Sequence, residues 1–340
     1  MNPQKHAQLK PYHAFKVEAK ADSFYHIDSI EQLKSLISKQ AYDIANTYIL
    51  GGGFNTLFYK DFQGSVLYNE LKGMHTVLED DDYTVIKVAS GEDWQTVVNW
   101  SVENNLGGIE NLTHIPGTVG AAPIQNIGAY GVEVCQSIVE VETISLNNGQ
   151  LKVYSKDECR FEYRDSIFKQ ELKNKVFITA VTFKFQKSPQ LCSQYKDVAN
   201  ALNKKQLSLE SLTVVDMQQT IAEIRVNKLP DPSQVPNAGS FFKNPIYHKE
   251  FVEKLLKKYP NMPHYTVDKF HSKLSAGWLI DSCGFKGYQH NGAAVHKNHA
   301  LVLINKAAAT GNDVIELAEK IKIKVLDKFN VELVSEVNCL

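Results

Sequence analysis

The sequence predicts an α+β fold in more than one domain, and three observations carry this. The chain is 340 residues long, which suits two or three domains of roughly 100–200 residues each. Apolar residues alternate in some stretches and recur at helical spacing in others, so strands and helices are mixed. A Pro/Asp/Ser run, Asp231 to Asn237, interrupts the pattern and reads as a domain boundary. The expected division is 1–67 with 330–340, then 68–230, then 231–329. Hydrophobic residues make up 43% of the chain, enough for sizeable cores.

Residues 1–20 open polar and end at His13-Ala14-Phe15. Ser29 through Gln40 reads as an amphipathic helix with Leu33, Leu36 and Ile37 as its stripe and a Ser29/Gln32 capping box. Thr47 to Leu50 is a short strand that runs into Gly51-Gly52-Gly53-Phe54-Asn55, and Ser65 to Tyr68 is the next strand. Consecutive glycines carry an entropy cost that a plain turn does not require, which favours a pyrophosphate cradle there. Glu79 to Asp82 reads as a solvated acidic turn rather than a metal site. Thr84 to Ala89 alternates as a strand, and Trp94, Val97, Val98 and Val102 mark a helix that ends toward Gly107-Gly108. Ile138 to Leu146, Asn147-Asn148-Gly149 and Leu151 to Tyr154 spell strand, turn and strand. Val176 to Phe185 alternates again and sets Phe177, Phe183 and Phe185 on one face by parity. Asp216 caps a helix bearing Met217, Ile221 and Ile224, which stops before Pro230. Beyond the linker come Gly239 to Pro245, a helix about Phe251 to Tyr259 and a strand from Ala293 to Asn305. A helix from Asp313 to Phe329 carries Val314, Leu317, Ile321 and Val325, and Val331 to Val337 closes as a strand.

Composition excludes several classes of function. Net charge is −1 with no basic block, so no nucleic-acid surface is expected. MNPQKHAQLK has no apolar stretch of a signal peptide, and no apolar run approaches the ~20 residues of a membrane span, so a cytoplasmic protein is expected. The five cysteines are scattered and odd in number, without a CxxC, which suits reduced thiols rather than metal ligands. His264, His271, His290, His296 and His299 lack a ligand spacing such as HExxH and read as solvated or hydrogen-bonded; no metal is expected.

The chain's most unusual stretch is Ile115 to Gly131, IPGTVGAAPIQNIGAYG, which has no charged side chain. Glycine and alanine leave its backbone open, while Pro116 and Pro123 stiffen it. Two readings remain: a tight buried connection between strands, or a backbone cradle whose bared N–H groups meet phosphate or flavin oxygens. It is neither a GxGxxG fingerprint nor a P-loop. Three further segments carry chemistry. Cys159 to Ser166 packs arginines, acids and Tyr163 closely, as a surface salt-bridge loop also would. Gly239-Ser240-Phe241-Phe242-Lys243-Asn244-Pro245 sets a serine between glycine and aromatics, and it is not the GxSxG elbow of hydrolases. Glu336 is an acid within an apolar terminal segment, suited to proton handling or to pairing with an arginine.

Together IPGTVGAAPIQNIGAYG, Tyr163-Arg164-Asp165-Ser166, GSFFKNP and the terminal Glu336-Val337 resemble the UDP-N-acetylenolpyruvoylglucosamine reductase family from about Pro11 to Val337. The resemblance implies an FAD-binding fold of the vanillyl-alcohol-oxidase/p-cresol-methylhydroxylase type in two domains, and a third α+β substrate-binding domain. It implies reduction of UDP-N-acetylglucosamine enolpyruvate to UDP-N-acetylmuramate by NADPH through FAD, in peptidoglycan precursor synthesis. Arg164 and Glu336 would polarise the substrate carboxylate and Ser240 would be the proton donor. Leu50, Gly51, Gly52, Gly53, Phe54 and Asn55 would bind FAD, together with Ile115, Pro116, Gly117 and Thr118. Gly120, Ala121, Ala122, Gln125, Ile127 and Gly128 would complete that set. Tyr130, Tyr163, Lys228, Asn244 and Tyr265 would contact the nucleotide sugar. Gln194-Tyr195-Lys196-Asp197 resembles the insertion of the longer subtype, in which Tyr195 closes over the substrate. A monomer is the expected state.

The chain departs from the family pattern at Phe54, where serine is more common, and at Asn338, where arginine is usual. His299 stands where glutamine is often seen, and His13-Ala14-Phe15 replaces Asn-Thr-Phe. Two other readings compete. A flavin oxidase on the same scaffold would want a flavin-linking His or Cys, and Ile115 to Gly131 has neither. A flavin- and nucleotide-binding protein without turnover would have no need of Ser240.

Overall fold

In the computed structural model, which describes residues 2–340, the chain divides into two units. The first comprises the chain up to Ala7, Ala21–Gly52 and Gln63–Asn227; the second comprises Gln8–Lys20, Gly53–Phe62 and Lys228–Leu340. This division is coarser than the three-domain partition expected from the sequence. Strands and helices are mixed in both, so the α+β class holds.

The first unit is built on a five-stranded antiparallel sheet in the order Leu151–Ser155, Ile138–Ser145, Val176–Gln186, Tyr83–Ala89, Met74–Glu79. The expected hairpin is present, with Ile144 opposite Leu151. Parity misled at Phe177. The central strand carries one extra residue at Thr179, because Glu142 faces Ala180 while Thr143 faces Ile178. A bulge of this kind reverses the facing of everything beyond it. Phe177 therefore packs with Leu33, Leu36 and Leu67, whereas Phe183 and Phe185 pack with Trp94, Val97 and Val98. The helix bearing that last trio, Trp94–Glu103, starts at Asp93, whose side chain accepts from Thr96 N.

A second sheet orders Gln4–Gln8, Lys20–Ile27, Phe62–Asn69 and Thr47–Leu50. Its last two strands are parallel, Thr47 beside Ser65 and Leu50 beside Tyr68, so the glycine turn opens a crossover rather than a hairpin. The helix Ile30–Ser38 begins at Ser29, but the expected capping box is absent; the Gln32 amide oxygen accepts instead from Asp28 N at 3.3 Å. Before the linker two helices, Lys196–Lys204 and Val214–Lys228, pack through Val198, Leu202, Met217 and Ile221. The sequence reading had only the second. Asp216 is not its N-cap: it stands in reciprocal bonds with Thr213, whose hydroxyl accepts from Asp216 N at 3.1 Å.

In the second unit a four-stranded sheet orders Asn237–Ser240, Val302–Asn305, Ala293–Val295 and Gln289–His290. The single strand expected over Ala293 to Asn305 is thus two antiparallel strands with a turn between them. Polar Lys297 and Asn298 break the apolar run, and His296 N donates to Val302 O to close the turn. The helix Gly311–Phe329 covers the sheet with Val314, Leu317, Ile321 and Val325, all fully buried. Each such side chain contributes about 1.5–3 kcal/mol relative to exposure. A Thr310/Asp313 capping box starts this helix and Asn330, left-handed at φ 53°, ends it. Val331 to Val337 is not a continuous strand: Val331, Leu333 and Val337 are buried, but the pairing is one bridge, Phe242 to Ser335. Asn338–Cys339 then runs parallel to Thr56–Leu57. All five cysteines are unpaired, and no helix of the described residues is long and apolar enough to cross a membrane.

Candidate active site

In the first unit, Ile115 to Gly131 is neither helix nor strand for most of its length. Its N–H groups are less bare than the sequence suggested. Val119 N donates to Glu92 O, Gly120 N to Ser90 O, Ala121 N to Thr118 O and Ala122 N to Val119 O. The cradle therefore narrows to Gly117 and Thr118. No atom lies within 4 Å of where a Cβ would stand on Gly117. The Thr118 hydroxyl is buried without a hydrogen-bond partner, and a Cβ on Gly51 would come within 2.6 Å of it. An orphaned buried hydroxyl beside the open Gly117 fits a group bearing oxygens, as the FAD pyrophosphate does. Leu50 and Ala122 are buried and Gly52, Ile115 and Ala121 are partly so; Pro116 is exposed. Gln125 is half-buried and Ile127 is buried.

Arg164, in the same unit, is held by backbone carbonyls. Its backbone is left-handed at φ 56°, within a tight turn closed by Glu162 and Asp165. The guanidinium donates to Asn126 O at 3.2 Å and to Gly128 O, and lies over the Tyr163 ring at 5.3 Å. A Cβ on Gly128 would stand 2.8 Å from Arg164 Nη1, so the glycine makes room for the arginine. Asn126, fully buried, holds the carbonyl in place: its amide donates to Glu133 and Glu162 O and accepts from Cys135 N. Charge-assisted bonds contribute about 1.5–3 kcal/mol each, less where solvent reaches them.

Tyr130, with φ 48°, meets the Tyr195 ring edge-on at 5.5 Å. Asn111 donates both to Tyr130 O and to Cys192 O, at 2.9 and 3.0 Å, so the segment leading to Tyr195 is tied beside Tyr130. Sequence reading missed Arg225, which donates to His114 O at 3.0 Å and bonds the Tyr130 hydroxyl. Burial pushes the Tyr130 phenol above its ordinary range, with Asp197 adding to the rise and Arg225 opposing it. Burial likewise holds the Arg225 guanidinium below its ordinary value. Only its spacing of one helical turn from Ile221 hinted at the role. A cavity of about 640 Å³ lined by Asn147, Lys152 and Leu172 lies on the hairpin and shares no residue with this set.

In the second unit, Ser240, Glu336 and Asn55 are brought together. Gly239 is left-handed at φ 69° and forms a bulge, since Asn237 faces Ile304 while Ser240 faces Val302. Bulges re-aim the side chain that follows, here Ser240, which stays partly exposed. The next residues are clamped from both sides. Phe241 N donates to Leu301 O, Glu336 N donates to Phe241 O and Lys243 N donates to Val334 O. The Asn55 amide donates to Glu336 O at 3.3 Å, and Asn338 donates to Asn55 O at 3.1 Å from its side chain. The departure at Asn338 thus has a local use: it pins the glycine turn to the C-terminus. Asn244 accepts from Ala276 N at 2.9 Å. Phe54 is half-buried, and Lys228 and Tyr265 are exposed. Gly53 is required by the fold as well: its φ is 70°, and a Cβ would collide with Tyr12 O.

The open Gly117 and the orphaned hydroxyl belong to a flavin-binding class: residues 22–155 match the FAD binding domain. Residues 231–340 match the C-terminal domain of UDP-N-acetylenolpyruvoylglucosamine reductase. The chain is 40% identical to that reductase from Flavobacterium johnsoniae over the whole of both chains. It is 45% identical to that from Aliivibrio fischeri, over 97% of this chain and 92% of the relative. The crystal structure of the Thermus caldophilus reductase (MurB) shares the fold at TM-score 0.68 and 22% identity, covering 100% of this chain and 99% of that one. The chain belongs to the UDP-N-acetylenolpyruvoylglucosamine reductase family, a family of FAD-dependent oxidoreductases.

Proposed function

We propose that the protein reduces UDP-N-acetylglucosamine enolpyruvate to UDP-N-acetylmuramate with NADPH, using FAD, in peptidoglycan precursor synthesis. The observation that carries this is the match to relatives of that name along the whole chain, with Ser240 and Glu336 joined through the Phe241 carbonyl. Bound FAD supplies the passage of hydride from NADPH to the enolpyruvyl methylene carbon. This chain's residues do the rest. Gly51, Gly52, Gly117 and Thr118 hold the pyrophosphate, with Gly53 to Asn55 continuing the cradle. Arg164 and Glu336 act on the substrate carboxylate and stabilise the enolate-like charge that hydride addition creates. For Glu336 to assist an anion it must carry its proton. Ser240 Oγ gives a proton to the carbon bearing the ether oxygen, which completes the lactyl group. Serine is a weak acid, so the fixed approach set by the Gly239 bulge carries much of the effect.

Tyr130, Tyr163, Asn244, Lys228 and Tyr265 bind the nucleotide sugar, and Tyr195 closes over it, as in the longer subtype. Residues 1–67 with 330–340 and 68–230 act as the FAD-binding domains, and 231–329 as the substrate domain. The enzyme works as a cytoplasmic monomer. The test is an anaerobic titration watched in the visible spectrum. NADPH should bleach the flavin band, and UDP-N-acetylglucosamine enolpyruvate should restore it. Bleaching without restoration transfers the reading to an oxidase, and a protein that takes no flavin on reconstitution removes the cradle at Gly117 and Thr118.

A further inference from the structure

Asn111 is a buried polar side chain that the proposed chemistry does not use. It stands in a short helical turn, Glu110–Leu112, and is fully buried. The turn is fixed on both sides. Gly108 N donates to the Glu110 carboxylate at 2.6 Å, and the Trp94 indole donates to Leu112 O at 2.9 Å. Oδ1 of Asn111 is buried without a hydrogen-bond partner. An unmet buried acceptor is costly and calls for an explanation.

The nitrogen of the same amide supplies one. Nδ2 donates to Tyr130 O at 2.9 Å and to Cys192 O at 3.0 Å, so one side chain joins two segments far apart in sequence. Cys192 lies in the irregular strap between the strand Val176–Gln186 and the helix Lys196–Lys204. At its start Lys187 N donates to Asp82 O at 2.9 Å, and Pro189 packs where a Cβ on Gly107 would stand 2.4 Å away. At its end Tyr195 meets the Tyr130 ring edge-on at 5.5 Å. Tyr130 and Gly131 are consecutive left-handed residues, at φ 48° and 85°. A Cβ on Gly131 would stand 2.7 Å from Cys192 Sγ. The glycine thus opens the space in which the strap crosses, and Asn111 bonds both sides of the crossing. The Cys192 thiol approaches Tyr130 O at 3.8 Å, a weak donor that does not replace the amide.

We propose that Asn111 is a positioning residue: its amide pins the strap to Tyr130 at Cys192, and Tyr195 closes over the nucleotide sugar from that fixed pivot. This rests on the reading that Tyr195 covers the substrate. Each carbonyl needs a donor, and asparagine supplies two N–H bonds from one nitrogen on a short side chain. A strap held at Cys192 leaves Ser193 and Gln194 as the links to Tyr195. Closing then orders few residues and loses little conformational entropy. Released at Cys192, the strap moves from Pro189 onward, and each closure must order the whole of it. The loss falls on binding of the covered substrate and not on hydride transfer, since Asn111, fully buried, acts only through the segments it joins.

The test is a double-mutant cycle on the flavin-loaded protein. NADPH first reduces the flavin, and UDP-N-acetylglucosamine enolpyruvate then reoxidises it over a range of concentrations. Asn111→Leu keeps the volume and removes the donors. It should raise the half-saturating substrate concentration about tenfold. The limiting reoxidation rate and the bleaching by NADPH should stay within about twofold. Tyr195→Ala should raise the same concentration about tenfold or more. The double variant should be no worse than Tyr195→Ala alone, to about twofold, because one residue acts through the other. Additive effects, or a fall in the limiting rate instead, overturn the inference and leave the covering role of Tyr195 standing. An unchanged concentration in Tyr195→Ala brings down that role and the inference together. A readout on the unsubstituted protein needs no variant to fold: the Asn111 side-chain amide protons should exchange slowly with solvent, with and without UDP-N-acetylmuramate. Fast exchange in either state overturns the inference.

Discussion

Arg164 and Ser240 are positioned by opposite means. Arg164 is held through its side chain: the guanidinium reaches back to carbonyls of Asn126 and Gly128, on a left-handed backbone in a loop. Ser240 is held through its backbone, paired to Val302, and followed by Phe241, whose N–H and carbonyl are both engaged by neighbouring segments. The cation depends on groups it touches, so changing it disturbs its surroundings. The serine hydroxyl can be removed while the scaffold that aims it remains.

Ser240→Ala breaks the comparison most sharply. It should lower product formation by about 10²–10⁴-fold while NADPH still bleaches the flavin, with stability unchanged to about 0.5 kcal/mol. A matching fall in melting temperature would show that the hydroxyl is structural. Arg164→Lys should cost about 10²-fold in kcat/KM, since lysine lacks the planar fork that serves two carbonyls. Unlike the serine change, it should also loosen the 160–166 loop in hydrogen exchange. An unchanged exchange pattern would mean that the carbonyl bonds do not hold that loop.

Gly53→Ala probes backbone alone. Left-handed strain and the clash with Tyr12 O should destabilise by about 2–4 kcal/mol in urea unfolding. A milder loss would place Gly53 in the cofactor's service rather than the fold's. The smallest effect is expected at His13, another departure from the family pattern. Burial holds the His13 imidazole below its ordinary value, more than its bond to Val17 O raises it. Below about pH 6.5 the unfolded chain therefore binds a proton that the folded chain refuses. Stability should fall with pH from there down to the folded value, by up to about 1.4 kcal/mol per pH unit. His13→Asn should remove that share of the acid slope, which acid titration of the melting temperature would read.

Local chemistry made much of this molecule legible. The strand at Thr47–Leu50, the Asn147 to Gly149 hairpin and the Gly311–Phe329 helix follow from turn residues and period, which act within a few residues. What failed needed a distant partner. Parity could not reveal the extra residue at Thr179, because a bulge is defined by the opposing strand. Apolar runs could not divide Ala293 to Asn305 into two strands, since the bond from His296 N to Val302 O exists only when the chain folds back. The residue types of Arg164, Ser240 and Glu336 and the glycines of the central stretch were set by the sequence itself. Tertiary structure alone decided that Gly128 leaves room for Arg164, that Arg225 bonds Tyr130, that one Asn111 amide serves both Tyr130 and Cys192, and that His296 and His299 each leave a ring nitrogen unpartnered. The reason is physical: a side chain's type is local, but its burial and its partners are supplied by residues far away in the chain.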